Sequence, residues 1–91
     1  VVLPAQEGFL LPLNELAVPN RVTGERQVRR LLRAGELRKV FIALDADASV
    51  ISGLEEEARN ANIPVERVDS KVILGRACAI ARGASAAGIR T

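Results

Sequence analysis

Gly24-Glu25-Arg26-Gln27-Val28-Arg29-Arg30 sets a glycine ahead of a run of cations and one amide. That combination suits gripping an anion and reading a polar edge. If a helix starts here, its first four N–H groups lack acceptors and its dipole favours negative charge at that end. Gln27 carries an amide that both donates and accepts. Arg26 and Arg30, four apart, project from one helix face toward phosphates or a guanine edge. Taken alone, the segment also reads as an ordinary capped helix with a basic outer face, which is the commoner case.

Ile80-Ala81-Arg82-Gly83-Ala84 is a second candidate. An exposed aliphatic residue, a cation and a glycine suit contact with unstacked nucleotides, although by itself this is only a loop. Asp45-Ala46-Asp47 invites a metal or acid–base reading, but the further oxygen ligands and glycine of a calcium loop are missing. A turn followed by a helix N-cap is the simpler expectation there. Cys78 is the single cysteine and the chain has no histidine. Internal disulfides, multi-cysteine zinc sites and the commonest general base are therefore absent, and Cys78, between Ala77 and Ala79, is expected in the core. No catalytic residue, metal or cofactor is expected.

The 91 residues suffice for one domain, and the formal net charge is only +2. Its distribution is more telling. Arg21, Arg26, Arg29, Arg30, Arg33, Arg38 and Lys39 face only Glu25 and Glu36 within that stretch, whereas Asp45, Asp47, Glu55, Glu56 and Glu57 follow with no intervening cation. Such polarity can offer phosphates a positive face on a nearly neutral chain. No apolar run is long enough to span a bilayer and no secretory pattern opens the chain, so a cytoplasmic protein without membrane contact is expected.

These segments need elements to position them. Pro4, Pro12 and Pro19 break residues 1–20, which read as an N-terminal arm with a short helical turn near Leu13–Ala17. Arg21-Val22-Thr23 reads as a strand. Val28, Leu31 and Leu32 then fall at helical spacing, with Thr23 or Gly24 as N-cap and Gly35 as terminator. Lys39–Leu44 is an unbroken apolar strand of the kind buried on both faces. A helix over Val50–Asn62, a strand over Val65–Val68, a helix from the Ser70 cap to Ala77 and a small-residue strand over Gly83–Ile89 complete the order. Alternation of this kind predicts an α/β sandwich with helices on both faces of a sheet of about four strands.

The order of Gly24-Glu25-Arg26-Gln27 with Arg30, Lys39 to Asp47, Ile63-Pro64-Val65, Ser70-Lys71, Leu74 to Cys78 and the strand from Gly83 to Ile89 resembles a known family. It is that of archaeal-type ribosomal protein L seven Ae, with the thirty-e ribosomal proteins, small nucleolar ribonucleoprotein subunits and bacterial relatives. The resemblance spans about Arg21 to Ile89 and implies a three-layer α-β-α sandwich with a small mixed sheet, over residues 21–91. It further implies recognition of kink-turns, bent RNA duplexes in which sheared G·A pairs adjoin a bulge. The helix start would read the G·A pairs through Gly24, Arg26, Gln27 and Arg30, and Ile80, Ala81 and Arg82 would cover the bulge. The expected partners are structured RNA, ribosomal RNA among the candidates, and ribosomal or ribonucleoprotein subunits, with the chain itself a monomer. Three residues depart from the family pattern: Arg26 replaces Asn or Lys, Ala79 replaces glycine, and Glu25 replaces a small neutral residue. Two other readings stay open. One is a protein–protein module of the same fold, using the acidic Asp45–Glu57 region or the arm. The other is a recognition domain of a longer RNA-modifying enzyme.

Overall fold

The computed structural model describes residues 15–91. Most of the expected arm lies outside them, and of its helical turn only Glu15–Ala17 is described. Glu15 and Leu16 form a turn there. Leu16 is fully buried, so the packed body reaches back beyond Arg21.

Seven elements follow in the order β1 (Arg21–Thr23), α1 (Glu25–Ala34), β2 (Leu37–Ala43), α2 (Ala48–Asn60), β3 (Val65–Val68), α3 (Lys71–Ala77) and β4 (Ala86–Arg90). The sheet runs β1-β4-β2-β3. β4 is antiparallel to both β1 and β2, whereas β2 and β3 are parallel, which requires the α2 crossover between them. The sheet is therefore mixed.

Period-two alternation divides β2 between two cores. Val40 and Ile42 join Val28, Leu31, Leu32, Leu54 and Ala58 under α1 and α2. Phe41 and Ala43 join Leu16, Val68, Leu74 and Cys78 under α3. Each fully buried Val, Leu, Ile or Phe is worth roughly 1.5–3 kcal/mol relative to exposure, so the central strand anchors both layers. The result is the expected three-layer α-β-α sandwich. Cys78 is a buried free thiol, as its small neighbours suggested.

Several boundaries differ from expectation. β2 starts at Leu37, because the chain leaves α1 through a tight cap: Gly35 N–H donates to Leu32 O and Glu36 N–H to Leu31 O. An irregularity between Leu37 and Lys39 absorbs Arg38. α2 runs Ala48–Asn60 rather than 50–62, with Ala61 as C-cap and Asn62 after it in the left-handed region at φ 58°. β4 starts at Ala86, not Gly83, because Ala84 N–H is taken by Lys71 O at 3.0 Å on α3. Gly88 is required for closeness, since a Cβ there would stand 3.1 Å from Leu37 Cδ2 and from Lys39 O.

Candidate nucleic-acid interface

The carboxyl ends of β1, β2 and β3 and the amino end of β4 lie together, because β4 runs against its neighbours. All three helices start at this end. A ring of hydrogen bonds ties it together. Gly24 N–H donates to Ala86 O at 2.8 Å, Ala43 N–H to Ser85 O at 2.9 Å, and Leu44 N–H to Val68 O at 2.8 Å. Lys71 N–H donates to Asp45 Oδ1 at 2.8 Å, and Ala84 N–H returns to Lys71 O. The two segments singled out in the sequence thus converge on one end of the sheet.

At the α1 tip Gly24 is the N-cap, with φ 103° and ψ 142°, and no side chain caps the helix. Thr23 ends β1 instead. The tip N–H groups therefore have no side-chain acceptor among the described residues, a local arrangement that suits an anion. Arg26, Gln27 and Arg30 are all exposed. Arg30 Nη2 donates to Gln27 Oε1 at 2.8 Å, which orients the amide and leaves its NH₂ free to donate.

The second segment lies in the 79–85 loop that leads into β4, with Ile80 half-buried against the α3 core and Ala81 and Arg82 exposed. Two glycines fix this loop on α3. A Cβ on Gly75 would collide with the Arg82 carbonyl oxygen, and one on Gly83 would stand 3.0 Å from Lys71 Cβ. Ala79 has a left-handed φ of 62°. Its N–H donates to Arg76 O and Ile80 N–H to Gly75 O, a closure in which glycine is usual. The glycine that the resemblance implies at this position would suit this backbone.

The basic stretch is only partly available. Arg21 is turned inward, Nε donating to Cys78 O at 3.1 Å and Nη1 to Val18 O. Arg29 pairs with Glu25 and Glu57, Arg33 with Glu57, and Lys39 with Glu15 and Glu66. Among the described residues Arg26, Arg30 and Arg38 have no carboxylate partner, and Arg38 lies at the other end of the sheet, near the start of β2. The free cations of α1 are thus Arg26 in its first turn and Arg30 one turn further on. Lys71, exposed beside Gly83, adds a cation that sequence reasoning missed; only its adjacency to the loop in three dimensions marks it. Asp45 accepts from the start of α3, and Asp47 occupies the α2 N-cap position without a side-chain cap bond. The expected turn and N-cap position are thus present, without a side-chain cap bond to α2, while Asp45 caps the start of α3 instead.

The profile of the Ribosomal protein L7Ae/L30e/S12e/Gadd45 family matches residues 15–91. An RNA-binding protein of Geobacillus sp. (strain WCH70) is 46% identical over 68 residues, 75% of this chain and 83% of that protein. RNA-binding protein YbxF of Geobacillus stearothermophilus is 44% identical over 68 residues, with the same coverage of 75% and 83%. Among solved structures, the Giardia lamblia 15.5kD RNA binding protein superposes with a TM-score of 0.79 at 26% identity, covering 90% of this chain and 71% of its own. A protein of unknown function from Bacillus halodurans C gives 0.78 at 25% identity, covering 87% and 83%. Strand order, the split core, the glycine-led tip and these matches agree: the chain belongs to the Ribosomal protein L7Ae/L30e/S12e/Gadd45 family.

Proposed function

We propose that this protein binds RNA, and that its target is a kink-turn within ribosomal RNA or a small ribonucleoprotein. The supporting observation is the Gly24 N–H to Ala86 O bond, which joins the α1 tip to the foot of the 79–85 loop so that one bent RNA can touch both. The α1 tip enters the groove at the sheared pairs: Gln27 and Arg26 face base edges, Arg30 holds Gln27, and the tip N–H groups meet a phosphate. Ile80, Ala81 and Arg82 cover unstacked bases, with Lys71 beside them. Curated relatives and a structural neighbour are named RNA-binding proteins. The role is binding rather than catalysis, with the bent conformer favoured over the extended one in an existing equilibrium.

Three carboxylates of the acidic region on which a protein-contact reading would lean are engaged within the chain: Asp45 by the Lys71 backbone N–H, Glu55 by Arg67, and Glu57 by Arg29 and Arg33. Energy transfer between dyes on the arms of a kink-turn duplex tests the proposal, beside a duplex whose G·A pairs are replaced by Watson–Crick pairs. Bending and tighter binding of the first are expected; equal binding to both would end the kink-turn reading.

A further inference from the structure

The outer surface of α1 separates into two stripes. Glu25, Arg29 and Arg33, each four residues apart, form one stripe in which Arg29 and Arg33 reach Glu57 of α2 and Glu25 pairs with Arg29, whereas the exposed Arg26 and Arg30 have no carboxylate partner among the described residues. Glu57 on α2 reaches across to the first stripe. Its Oε2 is 3.3 Å from Arg29 Nε, and its Oε1 is 3.2 Å from Arg33 Nε. Arg29 Nη2 also lies 3.3 Å from Glu25 Oε2. Arg29 Nε is fully buried, yet its alignment with Glu57 is too poor for a hydrogen bond, so the contact is one of charge. Gly53 makes room for it: a Cβ there would stand 2.6 Å from Arg29 Nη2. A glycine inside a helix is less favourable than alanine, and here it leaves room for the guanidinium against α2.

We propose that Glu57 is a specificity-determining residue for RNA binding: with Gly53 it keeps Arg29 and Arg33 paired with a carboxylate of α2 and leaves Arg26 and Arg30, beside Gln27, as the unpaired cations of α1. This rests on the RNA-binding reading above. Two cations and two carboxylates, Arg29, Arg33, Glu25 and Glu57, sum to zero charge. Unneutralised cations along α1 would draw any duplex through its phosphates, a sequence-independent attraction that raises affinity without discrimination. Neutralising them leaves Arg26 and Arg30, the two that flank Gln27, as the cations RNA meets on this helix. The same network cancels the Glu25 carboxylate beside the tip, where it would otherwise repel phosphate.

Glu57→Gln keeps the shape and one acceptor while leaving the network at one net positive charge. Affinity for the kink-turn duplex and for the G·A-replaced duplex is measured against salt, with folding checked by urea denaturation. The log–log salt slope on the control duplex should steepen by about one unit, and the ratio of target to control affinity should fall. Gly53→Ala, which pushes the guanidinium off α2 while improving helix propensity, should move both quantities in the same direction by less. Glu66→Gln makes the same change in net charge beside Lys39 and should leave both unchanged. If Glu57→Gln behaves as Glu66→Gln does while the wild type still prefers the kink-turn, the assignment of Glu57 is overturned alone. A wild type that binds both duplexes equally overturns the kink-turn reading and this assignment together.

Discussion

Gly24 donates its backbone N–H to the carbonyl of Ala86 at 2.8 Å. The residue that opens α1 is thus held to the residue that opens β4, 62 positions later in the chain. The α1 tip and the 79–85 loop cannot separate without breaking the end of the sheet. On the proposed reading, a surface assembled from both would be held together before RNA binds, which would lower the ordering cost of binding.

Gly24→Ala tests the conformation on which this depends. At φ 103° and ψ 142° the backbone is close to a region that only glycine occupies at little cost, and nothing lies within 4 Å of the missing Cβ. The penalty is therefore one of backbone strain rather than crowding. A loss of about 1–3 kcal/mol is expected in urea denaturation. An unchanged midpoint would show that the tip relaxes freely.

Ala79→Gly should act in the opposite sense. Ala79 is held at φ 62° by the closure of α3, and a left-handed alanine bears a strain of about 1–2 kcal/mol. Glycine removes that strain but adds freedom to the unfolded chain, by about 0.4–1 kcal/mol. A net gain of about 1 kcal/mol or less follows, seen as a higher midpoint. A lower midpoint would mean that the Ala79 methyl makes contacts that outweigh its strain.

Asp45 separates a structural carboxylate from a catalytic or metal-binding one. Its Oδ1 accepts from Lys71 N–H, and Ser70 Oγ accepts from Ile73 N–H three residues on, so the start of α3 has a long-range cap and a local one. Asp45→Ala should cost about 1 kcal/mol of stability, in the range of a lost cap, whereas Asp45→Asn, which keeps the acceptor, should cost less. Equal losses in the two variants would assign the effect to charge.

What could be read from the sequence was local in origin. α1 is marked by Val28, Leu31 and Leu32 and closed by Gly35, and β3 and α3 carry their own turn and cap residues. Errors arose where distant partners decide. Gly83 to Ser85 looks like the strand that follows it, and only Lys71, bonding Ala84, keeps the segment out of the ladder. Leu37 is cut off from the apolar run by Arg38 and Lys39, yet it is buried because the chain enters β2 directly from α1. Charge counting leaves open a positive face along the whole 21–39 stretch, whereas Arg21, Arg29, Arg33 and Lys39 are each engaged within the described chain. No local pattern marks an arginine whose carboxylate lies on the next helix.

The contact between Gln27 and Arg30 yields the sharpest prediction. Arg30 Nη2 holds Gln27 Oε1 at 2.8 Å on the exposed side of α1, so the amide is oriented before binding and its NH₂ is presented for a base acceptor. Gln27→Ala should reduce the preference for the kink-turn over the G·A-replaced duplex by about 1–3 kcal/mol, the range of a lost base contact. Arg30→Ala frees the amide to rotate and, on the proposed interface, would also remove a phosphate or base contact. The double variant should therefore lose less than the sum of the single losses, with a coupling of about 0.5–3 kcal/mol. Arg26→Ala with Gln27→Ala serves as the comparison, because no hydrogen bond joins that pair among the described residues. Additive losses for Gln27 and Arg30 would show that they meet the RNA independently. The orienting role of Arg30 would then be lost even if both residues proved to be contacts.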